Sequence, residues 1–164
     1  MRDITFCDFS HQRARRSLRR SSAVLVAASM IFSTIACSRS TAQQSGAEAV
    51  SQHFAKCGLV RRTCVVDGDT FWLDGRKIRV ADIDTPEIGK PKCDAEYALG
   101  MRATQRFIEL LNAGTFTLQT IGSRDTDRYG RELRVVIRNG HSLGDELVGA
   151  GLARTWTGRR EPWC

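Results

Sequence analysis

Acidic side chains and arginines recur together in three stretches of the sequence: Val65-Val66-Asp67-Gly68-Asp69-Thr70, Lys77-Ile78-Arg79-Val80-Ala81-Asp82-Ile83-Asp84-Thr85-Pro86-Glu87 and Asp125-Thr126-Asp127-Arg128-Tyr129-Gly130-Arg131. Taken singly, each reads as a salt-bridged turn. Taken together, they deliver anionic oxygen and guanidinium from three separate places. Carboxylates at strand ends hold a hard divalent cation through oxygen ligands. Such a cation and arginines both neutralise phosphate charge, so the mixture suits a phosphodiester. His141 sits in an expected turn with no carboxylate partner in sight, and reads as an exposed loop residue rather than a catalyst.

The elements that must position these groups follow from patterning. Leu59 to Val66 is β-rich, Asp67-Gly68 breaks it, Thr70 to Leu73 resumes, Asp74-Gly75 turns the chain and Lys77 to Ile83 runs back as a third strand. A helix is predicted from Asp94, read as its N-cap, with Leu99, Ala103, Phe107, Leu110 and Leu111 on one stripe and Asn112-Ala113-Gly114 ending it. Thr115 to Ile121 and Glu132 to Arg138 are further strands, and Asn139-Gly140 turns the chain. Ser142-Leu143-Gly144-Asp145 opens a second helix, to about Gly149, as a capping box. Leu152 to Trp156 is a last extended piece. The class is mainly β with two packed α-helices. Five strands with a helix between the third and fourth fit a five-stranded OB-fold β-barrel, and the same order also fits an α+β sandwich.

The 164 residues are 41% hydrophobic and 26% charged, which excludes wholesale disorder and a polytopic membrane protein. The net charge of +7 is weak evidence for a nucleic-acid partner once it is divided by position. Residues 1–56 carry 8 Lys and Arg against 3 Asp and Glu, and residues 57–164 carry 17 against 15. Arg13, Arg15, Arg16, Arg19 and Arg20 precede an uncharged run from Ala23 to Ala36, so residues 1–36 read as a secretory signal or membrane-targeting segment. Cleavage after Ala36, cleavage after Ala42, lipidation at Cys37 and an uncleaved anchor all stay open, and a twin-Arg signal is matched only loosely. Membrane contact is expected only through this segment. Residues 37–56 read as a linker and 57–164 as the folded domain. In an exported protein, Cys57, Cys64, Cys93 and Cys164 point to two disulfides; a zinc site is the competing reading, but no Cys-x-x-Cys pair supports it.

From Val65 to Ala153 the chain resembles the staphylococcal nuclease (thermonuclease) family. The resemblance is carried by Val-Asp-Gly-Asp-Thr, Arg-x-x-x-x-Asp-Thr-Pro-Glu, Asp-Arg-Tyr-Gly-Arg and Gly151-Leu152-Ala153. It implies an OB-fold barrel and a calcium-dependent phosphodiesterase acting on DNA and RNA, leaving 3′-phosphate ends; no stable protein partner is evident in the sequence, and a monomer is expected. By matching positions, Asp69, Asp84 and the Thr85 carbonyl would bind calcium. Arg79 and Arg131 would hold the scissile phosphate, Glu87 would act as general base or orient water, and Arg128 and Tyr129 would contact a neighbouring phosphate. Asp67 and Asp82 are expected to be structural, within reach of a support role. A nuclease-like module that only binds nucleic acid, and an exported scaffold, are the alternatives; no motif residue is lost to favour the former.

After Arg154 the family commonly continues through nucleotide-contacting tyrosines and a further helix, and here ten residues follow. Trp156 and Trp163 are read as core packing ahead of base stacking. Cys93 at the first helix is expected to pair with Cys164 in place of the missing packing, and Cys57 with Cys64. A calcium ligand and a phosphate-binding arginine are expected to share a face of the ribbon. The Asp74-Gly75 turn is therefore expected to take a third residue, Leu73, which sets Asp69 across from Arg79.

Overall fold

A computed structural model describes residues 47–164. The leader read from residues 1–36 lies outside them. The elements are β1 (Ala49–Val50), β2 (Cys64–Asp67), β3 (Thr70–Leu73), β4 (Arg76–Val80), β5 (Ile83–Asp84), α1 (Asp94–Asn112), β6 (Phe116–Thr120), β7 (Glu132–Arg138), β8 (His141–Ser142), α2 (Leu143–Gly149) and β9 (Arg154–Thr155). The five principal strands form a curled sheet in the order β6-β7-β4-β3-β2, with β4 and β7 parallel and the rest antiparallel. This is the expected OB-type barrel with two helices. β8 is a short annex on β7, and β5 leaves the sheet to pair with β9.

The barrel is closed by residues expected to be linker. β1 pairs with β6, and a few residues later Lys56 bridges Val65 of β2, with Cys57 N donating to Val65 O and Val65 N to Ala55 O. The segment thus spans the gap between the two edge strands, which satisfies edge groups that would otherwise be left open. The folded body accordingly starts upstream of Cys57. Phe54 is fully buried, edge-on to Phe71 at 5.8 Å and tilted against Phe116 at 5.9 Å. Its main-chain N–H and C=O are both held by the Asn112 side chain at 2.8 Å.

The first expected strand is shorter than its β-rich run. Leu59 and Val60 are exposed, because residues 57–64 are folded into a loop closed by the Cys57–Cys64 disulfide, and pairing starts only at Cys64. Along α1 the expected stripe is seated, with Ala103, Phe107, Leu110 and Leu111 buried and Leu99 packed beside them. Its N-cap is Cys93 rather than Asp94: extended backbone there lets the sulfur accept from Glu96 N. At α2 the Ser142 hydroxyl accepts from the Gly144 and Asp145 N–H groups, which is the capping expected there.

The hairpin between β3 and β4 differs from expectation. Leu73 pairs with Arg76 and Thr70 with Arg79, so Asp74-Gly75 is a regular two-residue turn. Both residues have positive φ, 50° and 85°, the conformation that this dipeptide favours and that matches strand twist. The irregularity lies instead between β2 and β3, where the register shifts between Val65 and Asp67. Strand alternation fixes where a Cβ points, not where a long side chain ends. Asp69 lies in the Gly68-Asp69 turn, beyond the end of β3. The Arg79 side chain curls round the end of β4, donating to Val80 O at 2.9 Å and meeting Asp69 Oδ2 at 2.7 Å. The register expectation is overturned, and the meeting of the two side chains that motivated it occurs nonetheless.

Candidate active site

At the open end of β3 and β4 the chain buries charge. Asp69 and Asp84 are each 4% exposed and Arg79 is 6% exposed. Removing ions from water is costly unless each is paired and its remaining hydrogen-bonding capacity is met. Arg79 lies 2.7 Å from Asp69 Oδ2 and 3.5 Å from Asp84 Oδ1, so two carboxylates converge on one cation. The Asp69 carboxylate accepts three more bonds, from Thr70 Oγ1 to Oδ1 at 3.0 Å and, from the second motif, from Thr85 N and Oγ1 to Oδ2 at 3.1 and 2.9 Å. Gly68 permits this closeness, since a Cβ there would lie 2.9 Å from Thr85 Cγ2 and from Ala103 Cβ. Behind it, Asp67 Oδ1 accepts from Asp69 N at 3.2 Å, the support role expected of it. Burial, with the Asp69 carboxylate alongside, pushes Asp67 up to about 7. Burial also raises Asp84, against the pull of Arg160 and Arg79. Asp82 faces away, accepting from Ser142 Oγ at 2.6 Å at the start of α2.

The third motif forms a self-bonded loop. Asp127 Oδ1 accepts from Tyr129 N and Arg131 N at 2.8 and 3.0 Å, and its Oδ2 accepts from Arg131 Nε at 2.7 Å. Gly130, at φ 74°, closes the loop by donating to Asp127 O. Arg131 is thereby aimed at the barrel mouth, where Nη1 reaches Thr70 Oγ1 at 3.4 Å. Arg128 and Tyr129 stand at the rim, with both arginines against the Tyr129 ring at 4.8 and 5.5 Å.

Glu87 is carried on the loop before α1. Its N–H is held by buried Glu96 Oε1 at 3.3 Å, and Glu96 Oε2 accepts from Lys92 N at 2.6 Å, so one helix carboxylate fixes both ends of the loop. Gly100, one turn further on, lets Pro86 and Ile88 sit against the helix; a Cβ there would meet Pro86 O and Ile88 Cγ2 at 2.7 Å.

All eight residues expected at the centre therefore fall in one network of contacts: Arg128, Tyr129 and Arg131, through Thr70 to Asp69, then Thr85 and Arg79 to Asp84, and on to Glu87. The link between Asp84 and Glu87 is a residue the motifs do not include. Arg160 donates to Asp84 Oδ1 through Nε and Nη2, at 3.1 and 3.0 Å, and its Nη1 bonds Glu87 Oε1. Trp163 Nε1 adds a bond to Asp84 Oδ2 at 3.3 Å while its ring covers the Arg154 guanidinium at 3.8 Å. Neither late tryptophan joins the core: Trp156 is 38% exposed, with Arg79 5.9 Å from its ring centre. The segment bearing Arg160 and Trp163 is fastened to the start of α1 by the Cys93–Cys164 disulfide. All four cysteines of the domain are paired as expected, which removes the zinc reading. His141 is exposed.

Asp69 and Asp84 present buried carboxylate oxygen, the hard donor type that calcium takes. Among the described residues no three His, Cys, Asp or Glu side chains converge as a cage. A cation held by Asp69 and Asp84 would draw its remaining ligands from main-chain oxygen, water or phosphate.

Comparison with known proteins agrees with this fold. The profile of the family described as "Staphylococcal nuclease homologue" matches residues 77–162, more than half of the chain. Endonuclease YncB of Bacillus subtilis (strain 168) is 38% identical over 94 residues, 54% of this chain and 44% of its own length. Endonuclease YhcR of the same organism is 36% identical over 109 residues, 60% of this chain and 9% of its own length. Micrococcal nuclease of Shigella flexneri is 40% identical over 77 residues, 44% of this chain and 38% of its own length. The chain thus spans less than half the length of these relatives. With the barrel, both later motifs and the match to the profile in agreement, the chain belongs to the staphylococcal nuclease homologue family.

Proposed function

We propose that the protein is a calcium-dependent endonuclease that hydrolyses phosphodiester bonds in DNA and RNA, leaving 3′-phosphate ends, and that it acts outside the cytoplasm. The observation that carries the reading is the convergence of buried Asp69 and Asp84 on the Arg79 guanidinium, with Glu87 and Arg131 joined to the same network. Calcium would be held by Asp69, Asp84 and the Thr85 carbonyl. Bound there, a divalent cation acidifies attached water and offsets charge on a phosphate oxygen.

The chain's own residues do the rest. Glu87, half-buried on a loop pinned by Glu96, takes or orients the proton of the attacking water. Arg79, on β4, and Arg131, on the loop that leads into β7, approach the phosphate from two sides and neutralise charge on its equatorial oxygens as the bond to the leaving oxygen breaks. Asp127 holds Arg131 through three bonds, so its fork is oriented before substrate arrives. Arg128 and Tyr129, exposed at the rim, take the next phosphate along the strand. Export is supported by the leader and by two disulfides, which persist in oxidising compartments. Periplasmic, secreted and lipid-anchored forms share that requirement.

The test is digestion of plasmid DNA and of RNA with calcium against a chelator, paired with a binding measurement. Calcium-dependent cleavage of both substrates is expected. Binding without cleavage would instead make the protein a non-catalytic nucleic-acid module, and neither binding nor cleavage would make the barrel a scaffold.

A further inference from the structure

Arg160 is the feature of the site that the family motifs leave unexplained. Its guanidinium touches both Asp84, expected to bind the cation, and Glu87, expected to handle the proton. It comes from a segment with no regular secondary structure, 76 residues along the chain from Asp84. Three anchors hold that segment: the Cys93–Cys164 bond, Trp163 on Asp84, and Arg154, which donates to Pro162 O at 3.0 Å.

Charge balance indicates what Arg160 is for. Asp69, Asp84 and Glu87 bring three negative charges, and Arg79 and Arg160 return two; Arg131 is already matched by Asp127. These five side chains are therefore left with a single negative charge. One dication and one phosphodiester, arriving together, leave them neutral. Without Arg160 the same complex carries a net negative charge, so cation binding is favoured and phosphate binding is opposed. Arg160 also occupies Oδ1 of Asp84, an oxygen that a cation would use. Its side chain is 44% exposed while that of Asp84 is 5% exposed, so the arginine has room to turn toward a phosphate. Lys90 and Lys92 line the same cleft of about 560 Å³ beside Glu87, together with Glu96 and Glu161.

We propose that Arg160, delivered by the disulfide-anchored segment Gly158–Cys164, is an additional phosphate-binding and positioning residue that holds Asp84 and Glu87 and trades some cation affinity for substrate affinity. The inference rests on the nuclease reading of the site. It sets opposite signs for two ligands, which a merely structural role does not.

The test uses the full chain with its disulfides intact. Calcium binding is measured by titration calorimetry. Binding of a short fluorescent single-stranded DNA is measured in chelator, where no cleavage interferes, across a salt series. Arg160→Ala is expected to bind calcium about five- to tenfold tighter and DNA about fivefold weaker. Its log–log salt slope is expected to be shallower by about one phosphate contact. Arg160→Lys keeps the slope, and the paired Cys93→Ser and Cys164→Ser protein follows Arg160→Ala in both titrations. Weakening of both ligands together, or no change in either, overturns the assignment of Arg160. If the paired serine protein binds as the unaltered one does, the dependence on the disulfide is refuted. If the unaltered protein binds neither calcium nor DNA, the nuclease reading falls and this inference with it.

Discussion

Phe54→Ala tests the claim that residues upstream of Cys57 complete the barrel. Phe54 is 1% exposed and its ring meets Phe71 and Phe116, so truncation removes a whole aromatic side chain from between two other rings. Phe→Ala changes in cores cost about 3–5 kcal/mol, the upper part applying where the site cannot collapse. Collapse is restricted here, because Asn112 clamps the Phe54 backbone at both N–H and C=O. Against a total stability of about 5–15 kcal/mol, this removes roughly a fifth of the margin or more. For a domain of this size, melting should fall by roughly 10–20 °C. The assay is thermal unfolding followed by circular dichroism, with both disulfides intact. Asn112→Ala, which strands two main-chain groups, should cost about 1–3 kcal/mol on its own. The double variant should fall short of the sum, because the clamp and the ring support each other. A Phe54→Ala protein that melted within a few degrees of the unaltered one would mean that the segment only lies on the barrel.

Glu87→Gln and Arg131→Ala should each lower turnover by at least about 100-fold with melting unchanged, as groups acting in the transition state do; near-normal cleavage by Glu87→Gln would remove it from the proton's path. Asp69→Ala should weaken calcium affinity first, read by the calcium concentration giving half-maximal rate. Gly100→Ala should lower both activity and stability, since its Cβ would push Pro86 and Ile88, on either side of Glu87, off the helix; unchanged kinetics would show that the loop adjusts freely. Burial raises the Asp127 carboxyl, but its bonds from the Arg131 and Tyr129 N–H groups and the Arg131 side chain outweigh that and hold it below the usual 3.8. A depressed carboxylate contributes stability above its unfolded value and loses it as pH falls through its folded one. Asp127→Asn should therefore cost about 1–2 kcal/mol at neutral pH and nearly nothing in strong acid, by denaturant titration at both. An equal cost at both would refute the ionic account.

The two long helical and hairpin signals were legible because their periods are local. The spacing from Ala103 through Leu111 marks one face of α1, and Asp74-Gly75 names its own turn. The expectation that overrode that turn failed for a physical reason: it treated side-chain direction as fixed by Cβ, while arginine has the length to round a strand end. Phe54 was not legible because one aromatic in a polar stretch has no periodicity, and its partners lie far along the chain. Arg160 was hidden by the same kind of distance, since an arginine in a coil segment carries no mark of the carboxylates it will meet. The Cys93 N-cap was missed because sulfur is an uncommon substitute for a capping oxygen. The motif residues were legible as a set because each stretch repeats the same two chemical ingredients.

The closing segment also bears on the order in which the chain is made. β1 is synthesised before every other strand of the barrel, yet its partner β6 follows some 65 residues later, with Ala49 opposite Thr117. Through that interval its edge has nothing to pair with. The neighbouring Cys57–Cys64 bond spans only seven positions, and both of its cysteines emerge early. Once formed, it keeps Lys56 beside Val65, so the waiting segment is already moored to one lip of the gap when β6 arrives. Loop-closure entropy for the final seam is then set by the few residues between Val50 and Lys56 rather than by the whole intervening chain. The small disulfide, remote from the chemistry, acts as a bookmark for a pairing that synthesis delays.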